Sequence, residues 1–184
     1  MTLTKSKYYF EALDNYPYNL PDCLEALNYA LSYDPEDADS LCLMGRIYSE
    51  MLADYEKAKT YFEEAMQCNV TSLNTPQHYI KCLLDNEDLD EAEKLVGYAL
   101  KIKGIDKARI LIQKSLLYEI RLEYKKALEP LKEARKYSYN QAMLDFLKGR
   151  AKFIRNKMEN KPGKKNKIVN IIFTEKRIEY AALS

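Results

Sequence analysis

A ten-residue pattern recurs four times along the chain at almost constant spacing. Each copy has a small residue, a bulky apolar residue four positions later and an alanine three positions after that. The small residues are separated by 35, 34 and 35 positions, and they are Cys23, Ala58, Ala92 and Ala127. The bulky residues are Leu27, Phe62, Val96 and Leu131, and the closing alanines are Ala30, Ala65, Ala99 and Ala134. Positions i, i+4 and i+7 share one face of a helix, so the pattern predicts four helices that each pack closely against a partner helix.

A unit of this length holds two helices and two short turns. One such pair cannot bury its apolar face alone, so neighbouring pairs must stack. In the second unit, the first helix is marked by Leu41, Met44, Gly45 and Tyr48, which follow helical spacing. Gly45 costs roughly 1 kcal/mol of helix propensity relative to alanine. We therefore expect close contact with the paired helix to compensate for that cost.

Together these features resemble the tetratricopeptide repeat (TPR) family. The resemblance rests on the Leu-x-x-Met-Gly-x-x-Tyr run at 41–48, on the two small residues of each second helix and on Pro35, which closes the first unit. It covers about residues 5–138. The chain departs from the family pattern because it has no Trp and carries one extra residue near Leu52-Ala53. The resemblance implies an all-α, right-handed solenoid of about four antiparallel helix pairs with a concave groove.

We expect the units to be followed by a capping helix and a tail. The four units are predicted at about 3–35, 37–70, 74–104 and 105–138. Residues 139–159 carry an apolar stripe opposite Lys and Arg, which is typical of a helix that covers the open end of a solenoid. Residues 160–184 begin as a basic linker and contain the apolar hexamer 168–173. Such a hexamer is an aggregation hazard when exposed, so we expect it to dock.

Charge is distributed unevenly along the chain. Residues 148–184 contain 11 Lys and Arg against 3 Asp and Glu, although the whole chain has a net charge of +1. Nine of these basic residues lie within 148–167. One alternative function is therefore association of this region with nucleic acid or another anionic surface. The same residues are equally compatible with a solvated face of the capping helix or with attraction to the acidic body.

The sequence shows no constellation that favours catalysis, a metal or a cofactor. The lone histidine, His78, has no aligned catalytic partner, and the pair His78 and Cys82 falls short of the three or four ligands of a zinc site. The acidic run 85–91 lacks the glycine of a calcium-binding EF-hand loop. Only 5 glycines are present, and none forms a phosphate-binding loop. We therefore expect a non-enzymatic protein without a metal or cofactor.

The sequence also bears on location. The N-terminus has no apolar run of signal-peptide length, and no stretch reaches the roughly 18 apolar residues of a membrane span. The 4 cysteines are scattered, which is typical of reduced thiols. We expect a cytoplasmic location and no membrane span.

The family resemblance implies that the first helix of each pair lines a groove for extended peptides or helices. Carried over by position, the groove candidates are Tyr9, Leu43, Arg46, His78, Lys81, Gln113 and Leu116. Arg46, His78 and Lys81 are suited to meet a carboxylate or an acidic side chain. The resemblance thus implies a protein–protein interaction scaffold or adaptor whose partner is unknown.

Two further expectations concern what occupies the groove. The family's clamp for C-terminal carboxylates needs two Lys, two Asn and an Arg. The matching positions hold Tyr8, Ala12, Leu43, Asn74 and His78, so we do not expect binding of chaperone tails. Self-association is a further alternative, in which residues 168–173 occupy the groove of their own chain or of a neighbour.

Overall fold

The computed structural model describes residues 6–159, and within this range the chain is helical with short connections. The helices are α1 (Lys7–Asn15), α2 (Leu20–Tyr33), α3 (Ala38–Glu50), α4 (Tyr55–Cys68), α5 (Thr75–Asp85), α6 (Leu89–Ala99), α7 (Lys107–Ile120), α8 (Tyr124–Ala134) and α9 (Gln141–Glu159). A 3₁₀ turn, Arg135–Tyr137, follows α8. The predicted linker and tail at 160–184 lie outside the described residues.

Consecutive helices pack as pairs, and the pairs stack in chain order. The pairs are α1–α2, α3–α4, α5–α6 and α7–α8, and α9 packs on α8. In addition, α3 packs directly on α5 and α5 packs on α7, whereas the even-numbered helices pack on the odd helices beside them. The odd helices therefore form a close row along one side of the stack, which we call the inner row. The all-α solenoid predicted from the sequence is confirmed.

The repeated positions fill the interior of each pair. The seven alanines of the pattern are each 0% exposed, and Cys23 is 1% exposed. The bulky residues Leu27, Phe62, Val96 and Leu131 are equally well buried. A small residue on each side of a large one lets two helices approach while the large side chain fills the space between them. The pattern that defines the repeat is therefore the pattern that builds the core.

Gly45 permits the close approach of α3 and α4. A Cβ added at Gly45 would lie 2.9 Å from Cδ1 and Cε1 of Phe62, a separation that real side chains essentially never show. The predicted compensation for this glycine is thus confirmed as contact with the paired helix. A Cβ added at Gly97, on α6, would meet nothing within 4 Å. Only the first of these two glycines is required by packing.

The turns inside the second, third and fourth pairs share a backbone signature. Ala53, Glu87 and Leu122 have positive φ values of 53°, 62° and 61°. A left-handed residue of this kind ends a helix and lets the next backbone N–H reach a carbonyl near its end. These bonds run from Asp54 N to Tyr48 O, from Asp88 N to Leu83 O and from Glu123 N to Tyr118 O. The first spans six positions and the others five, which confirms the extra residue in the second unit.

The last helix closes the C-terminal end of the stack. Leu147 and Ile154 of α9 are 1% and 0% exposed, and they pack in a cluster with Leu111 and Leu131. Their spacing of seven positions puts both side chains on one face of α9. Among the helices of residues 6–159, none has the length and apolar character needed to cross a membrane.

Candidate protein-binding surface

Polar side chains along the inner row connect each odd helix to the next. We call this set the polar ladder. Its members come from α3, α5, α7 and α9 and from the residue that follows α1. They are Tyr16, Arg46, Glu50, Gln77, His78, Arg109, Gln113, Glu119, Arg150 and Lys157. The ladder joins neighbouring repeats to one another, whereas the buried alanines join the two helices of one repeat.

The first link of the ladder is centred on Glu50 at the end of α3. Tyr16 Oη donates a hydrogen bond to Glu50 Oε2. Arg46 Nε lies 3.8 Å from Glu50 Oε1, and His78 Nδ1 of α5 lies 3.7 Å from the same oxygen. The Arg46 guanidinium also lies over the Tyr16 ring, 4.6 Å from its centroid, which is a cation–π arrangement. One carboxylate therefore gathers groups from three repeats.

The environment of Glu50 fixes the charge state of this link. Burial alone would raise the pKa of Glu50, but His78, the Tyr16 hydroxyl and the Arg46 charge outweigh it and lower that pKa to about 2. Burial lowers the pKa of His78, and the nearby Arg46 charge lowers it further. Burial and the Glu50 charge raise the pKa of Tyr16. At neutral pH, Glu50 is therefore ionised, whereas His78 is uncharged and Tyr16 keeps its proton.

The second link joins α5 to α7. Arg109 Nη1 donates to Gln77 Oε1 at 2.9 Å, and Gln113 Nε2 donates to the Gln77 backbone oxygen at 2.7 Å. Gln113 is only 4% exposed. On the same helix as Gln77, Lys81 Nζ lies 2.9 Å from Asp85 Oδ2, one turn further along. Both helices thus contribute polar groups that are held in place by neighbours.

The third link joins α7 to α9 through a buried carboxylate. The Glu119 side chain is 7% exposed, and its two oxygens lie 2.5 Å from Arg150 Nη2 and from Lys157 Nζ. A buried carboxylate is tolerated only when its charge is paired and its oxygens accept hydrogen bonds. Here each oxygen has its own cationic donor. The link therefore fastens α9 to the end of the solenoid.

The structure brings part of the predicted groove together. Arg46 and His78 meet at Glu50, and Gln113 joins the ladder through Gln77. Lys81 is partly buried and pairs with Asp85 of its own helix. The roles of Tyr16 and Glu50 were not predicted from the sequence. Their only signal was the four-residue spacing of Arg46 and Glu50, which places oppositely charged side chains on one helix face.

The remaining groove candidates are packed against the core to different degrees. Leu43 is 2% exposed and lies in a cluster with Leu27 and Ile47, so it presents almost no surface to a ligand. Leu43 is enclosed by its neighbours on this stretch of α3 and is therefore left out of the contacts proposed below. Tyr9 and Leu116 are partly buried, each against a core cluster, and keep some exposed surface.

The chemistry of the described residues is that of recognition by hydrogen bonds and charge. In residues 6–159, no cluster of three or more His, Cys, Asp or Glu side chains could hold a metal ion. Burial raises the pKa of the Cys82 thiol to about 12, so this thiol stays protonated at neutral pH and is a poor nucleophile. The ladder offers cations, amides and carboxylates that are already oriented by one another.

Comparisons with known proteins place the fold. No family model matches the chain, and no curated protein matches it. A thermophilic TPR protein from Thermus thermophilus is similar with a TM-score of 0.65 at 17% identity, covering 80% of this chain and 79% of that one. The chain has the tetratricopeptide repeat fold. The resemblance found in the sequence is thereby confirmed.

Two further solved structures show the same TPR fold. PilF of Pseudomonas aeruginosa is similar with a TM-score of 0.67 at 17% identity, covering 86% of this chain and 76% of that one. MamA from Desulfovibrio magneticus RS-1, from residue 41 to its end, gives 0.61 at 16% identity, covering 88% of this chain and all of that one. At this level of identity, the similarity shows a shared fold and says nothing about a shared function.

Proposed function

We propose that this TPR chain is a non-enzymatic scaffold that binds an acidic segment of a partner protein along the concave side of the odd helices. The fold and its neighbours support a protein–protein interaction scaffold in general. The proposal adds a place for the partner and a chemical character for it. The proposed contact residues are those groove candidates that keep exposed surface, namely Tyr9, Arg46, His78, Lys81 and Leu116.

The observation that carries this proposal is a set of cations on successive helices of the inner row, two of which are shown to be partly exposed. Three successive odd helices each contribute a cation, namely Arg46, Lys81 and Arg109. The side chains of Arg46 and Lys81 are 24% and 27% exposed, so a ligand can approach them without a large rearrangement. Side chains already held by neighbours lose little further conformational freedom on binding. This arrangement favours a ligand that presents carboxylates at intervals matching the repeats.

The alternative role for the basic region finds less support. On α9, Arg150 and Lys157 both contact Glu119, and Lys148 lies 3.0 Å from Asp145 Oδ1. Three of the basic residues within 148–167 therefore neutralise carboxylates of this same chain. Arg150 and Lys157 hold a buried carboxylate of another helix, whereas Arg46 and Lys81 pair with carboxylates of their own helices. The contacts of α9 therefore support a structural role for this helix, and association with nucleic acid is not proposed.

The test is affinity capture with a matched pair of variants. One variant carries Arg46→Gln and Lys81→Gln, and the other carries Lys94→Gln and Lys125→Gln on exposed positions of the even helices. Both lose two positive charges and keep side chains that favour helix. We expect the first variant to lose proteins that the wild-type chain and the second variant both retain, as quantified by mass spectrometry.

Two outcomes decide the matter. If the concave variant retains every protein that the control variant retains, the groove is not the binding surface and the proposal fails. If added salt releases the captured proteins from the wild-type chain, the charge component is supported, because exposed ion pairs weaken with ionic strength. Thermal unfolding of both variants, measured in parallel, shows whether lost binding reflects a lost fold.

A further inference from the structure

A shallow cavity follows the side of α2 that faces away from the rest of the solenoid. Its volume is about 570 Å³, and we call it the α2 channel. It is lined by Pro21, Leu24, Glu25, Asn28, Tyr29 and Ser32. The opposite side of α2 is buried against its neighbours through Cys23, Ala26, Leu27 and Ala30. The channel thus lies at the N-terminal end of the stack, on the far side from the repeat interfaces.

Exposed aromatic rings form one border of the channel. The Tyr8 ring stacks on Tyr29 at 5.3 Å and on Tyr33 at 5.7 Å between centroids. Tyr29 is 49% exposed and Tyr33 is 73% exposed. Aromatic side chains that are pre-arranged yet half uncovered are frequent anchors in protein interfaces, since they bury a large area at low entropic cost. The channel therefore has the surface properties of a docking site.

The charge of the first helix pair limits which kind of segment can bind in the α2 channel. Residues 7–33, which form the first helix pair, contain one Lys and four acidic residues, a net charge of −3. Two such surfaces from two copies would repel each other, which disfavours a symmetric contact of channel with channel. The channel instead fits an apolar segment that is flanked by basic residues.

The chain itself contains a segment of that composition. Residues 160–184 hold six Lys and Arg against two Glu, a net charge of +4. The apolar hexamer 168–173 lies between the basic run 164–167 and the pair Lys176 and Arg177. The sequence thus supplies an apolar centre for the channel and basic flanks for the acidic surface around it.

We propose that the 168–173 segment of one chain binds the α2 channel of a second copy. The distances favour this intermolecular arrangement. Four helix-to-helix spacings separate α2 from α9 along the stack, and at about 8–10 Å each they span about 32–40 Å, to which the outer side of α2 adds further distance. The nine Cα–Cα steps from Glu159, the end of α9, to residue 168 reach at most about 32 Å when fully extended. Because channel and segment are different surfaces, the contact joins copies head to tail and leaves one of each unoccupied at the ends.

Mixing two full-length variants tests this arrangement. The segment variant carries Ile171→Asp and Ile172→Asp, and the channel variant carries Glu25→Lys and Tyr29→Lys, both at exposed positions of α2. We expect the mass of the wild-type chain in light scattering to rise with concentration, while each variant alone stays monomeric. An equimolar mixture should approach twice the monomer mass, because one variant supplies an intact channel and the other an intact segment.

The control has the same chemical changes elsewhere. A variant with Glu64→Lys and Tyr139→Lys alters one exposed acidic and one exposed aromatic residue outside the channel, and it should associate as the wild-type chain does. Circular dichroism checks that all variants keep their helix content. A wild-type chain that stays monomeric across the whole concentration range would overturn the proposal, as would a mixture of the two variants that fails to associate.

Discussion

The interior of each helix pair and the polar ladder between pairs differ in how their residues are distributed. In the interior, each repeat has a small or a bulky apolar residue at the same position, so Ala58, Ala92 and Ala127 have the same role and each is fully buried. On the ladder, each link is built from different groups. One link is centred on Glu50, the next on Gln77 and the last on Glu119.

This difference has an energetic meaning. A repeated interior contributes similar packing to every unit, and the stability of a solenoid is approximately a sum of such contributions and of the interfaces between neighbours. Ladder links are individual, so each one can be changed without touching the others. We therefore expect substitutions on the ladder to have local effects that depend on charge, and substitutions in the interior to have effects that depend on volume.

The largest effect is expected at the ladder's most buried charge. Glu119→Gln removes the charge that Arg150 and Lys157 share, and we expect a loss of about 3 kcal/mol in the free energy of unfolding. The two cations are each about one-fifth exposed, so water can partly replace the carboxylate and keep the loss below the upper end for buried pairs. Chemical denaturation measures this loss, and hydrogen exchange should show faster opening of α9.

An exposed pair on the same helix supplies the control. Asp145 and Lys148 are more than half exposed, so Asp145→Asn should change stability by less than about 0.5 kcal/mol. If both substitutions lower the free energy of unfolding by the same amount, burial does not explain how much the ladder links contribute to stability.

The next prediction compares alanine substitutions at two glycines, of which Gly45 is buried and Gly97 is exposed. The two substitutions should change the free energy of unfolding in opposite directions. Gly45→Ala places a methyl group against the Phe62 ring, and we expect it to cost about 2 kcal/mol through overpacking. Gly97→Ala meets open space on α6 and should stabilise the chain by about 0.5–1 kcal/mol through helix propensity. Thermal unfolding compares the two variants directly.

A double variant sharpens this result. Adding Phe62→Leu to Gly45→Ala should cost less than the sum of the separate changes, since the smaller side chain relieves the clash. Strict additivity would contradict the claim that the ring limits the separation of α3 and α4.

Sequence reasoning succeeded where a residue's role is shared by all repeats. The spacing of the alanines predicted the helix pairs, and Gly45 signalled a close approach because its low propensity required a reason. It did not anticipate the ladder, because Tyr16 and Glu50 meet only after three helices have stacked. The burial of Leu43 was not visible in the sequence for the same reason, since part of the cluster around it comes from α1 and α2. Contacts that depend on stacking geometry leave little periodic trace in one sequence.

Acidification should weaken the first ladder link in two separate steps. Burial holds the pKa of His78 below its usual value of 6.5, so stability should begin to fall as the pH drops below about 6.5, where the unfolded chain takes up a proton first. The pKa of Glu50 is about 2 rather than 4.5, so its contribution is present above pH 4.5 and is lost as the pH falls towards 2. Unfolding curves recorded across this range resolve the two steps.

Single substitutions assign these steps. His78→Gln should flatten the step below pH 6.5, and Glu50→Gln should flatten the step between pH 4.5 and 2. Glu50→Gln should also lower the free energy of unfolding by about 1–2 kcal/mol at neutral pH, because it removes the charge but keeps a hydrogen-bond acceptor. If either variant keeps the wild-type pH profile, the step assigned to the substituted residue comes from other titratable groups.

The smallest effect is expected at the turns between paired helices, which belong neither to the interior nor to the polar ladder. Ala53, Glu87 and Leu122 share a left-handed backbone at equivalent positions, yet their side chains have nothing in common. Leu122 is 70% exposed, so its side chain gains little from packing while its backbone adopts a conformation that glycine prefers. Leu122→Gly should therefore raise the free energy of unfolding by about 0.5–1 kcal/mol, whereas Leu122→Ala should leave it nearly unchanged because the Cβ remains. Equal effects of the two substitutions would show that loss of the exposed leucine, and not relief of the backbone, is responsible.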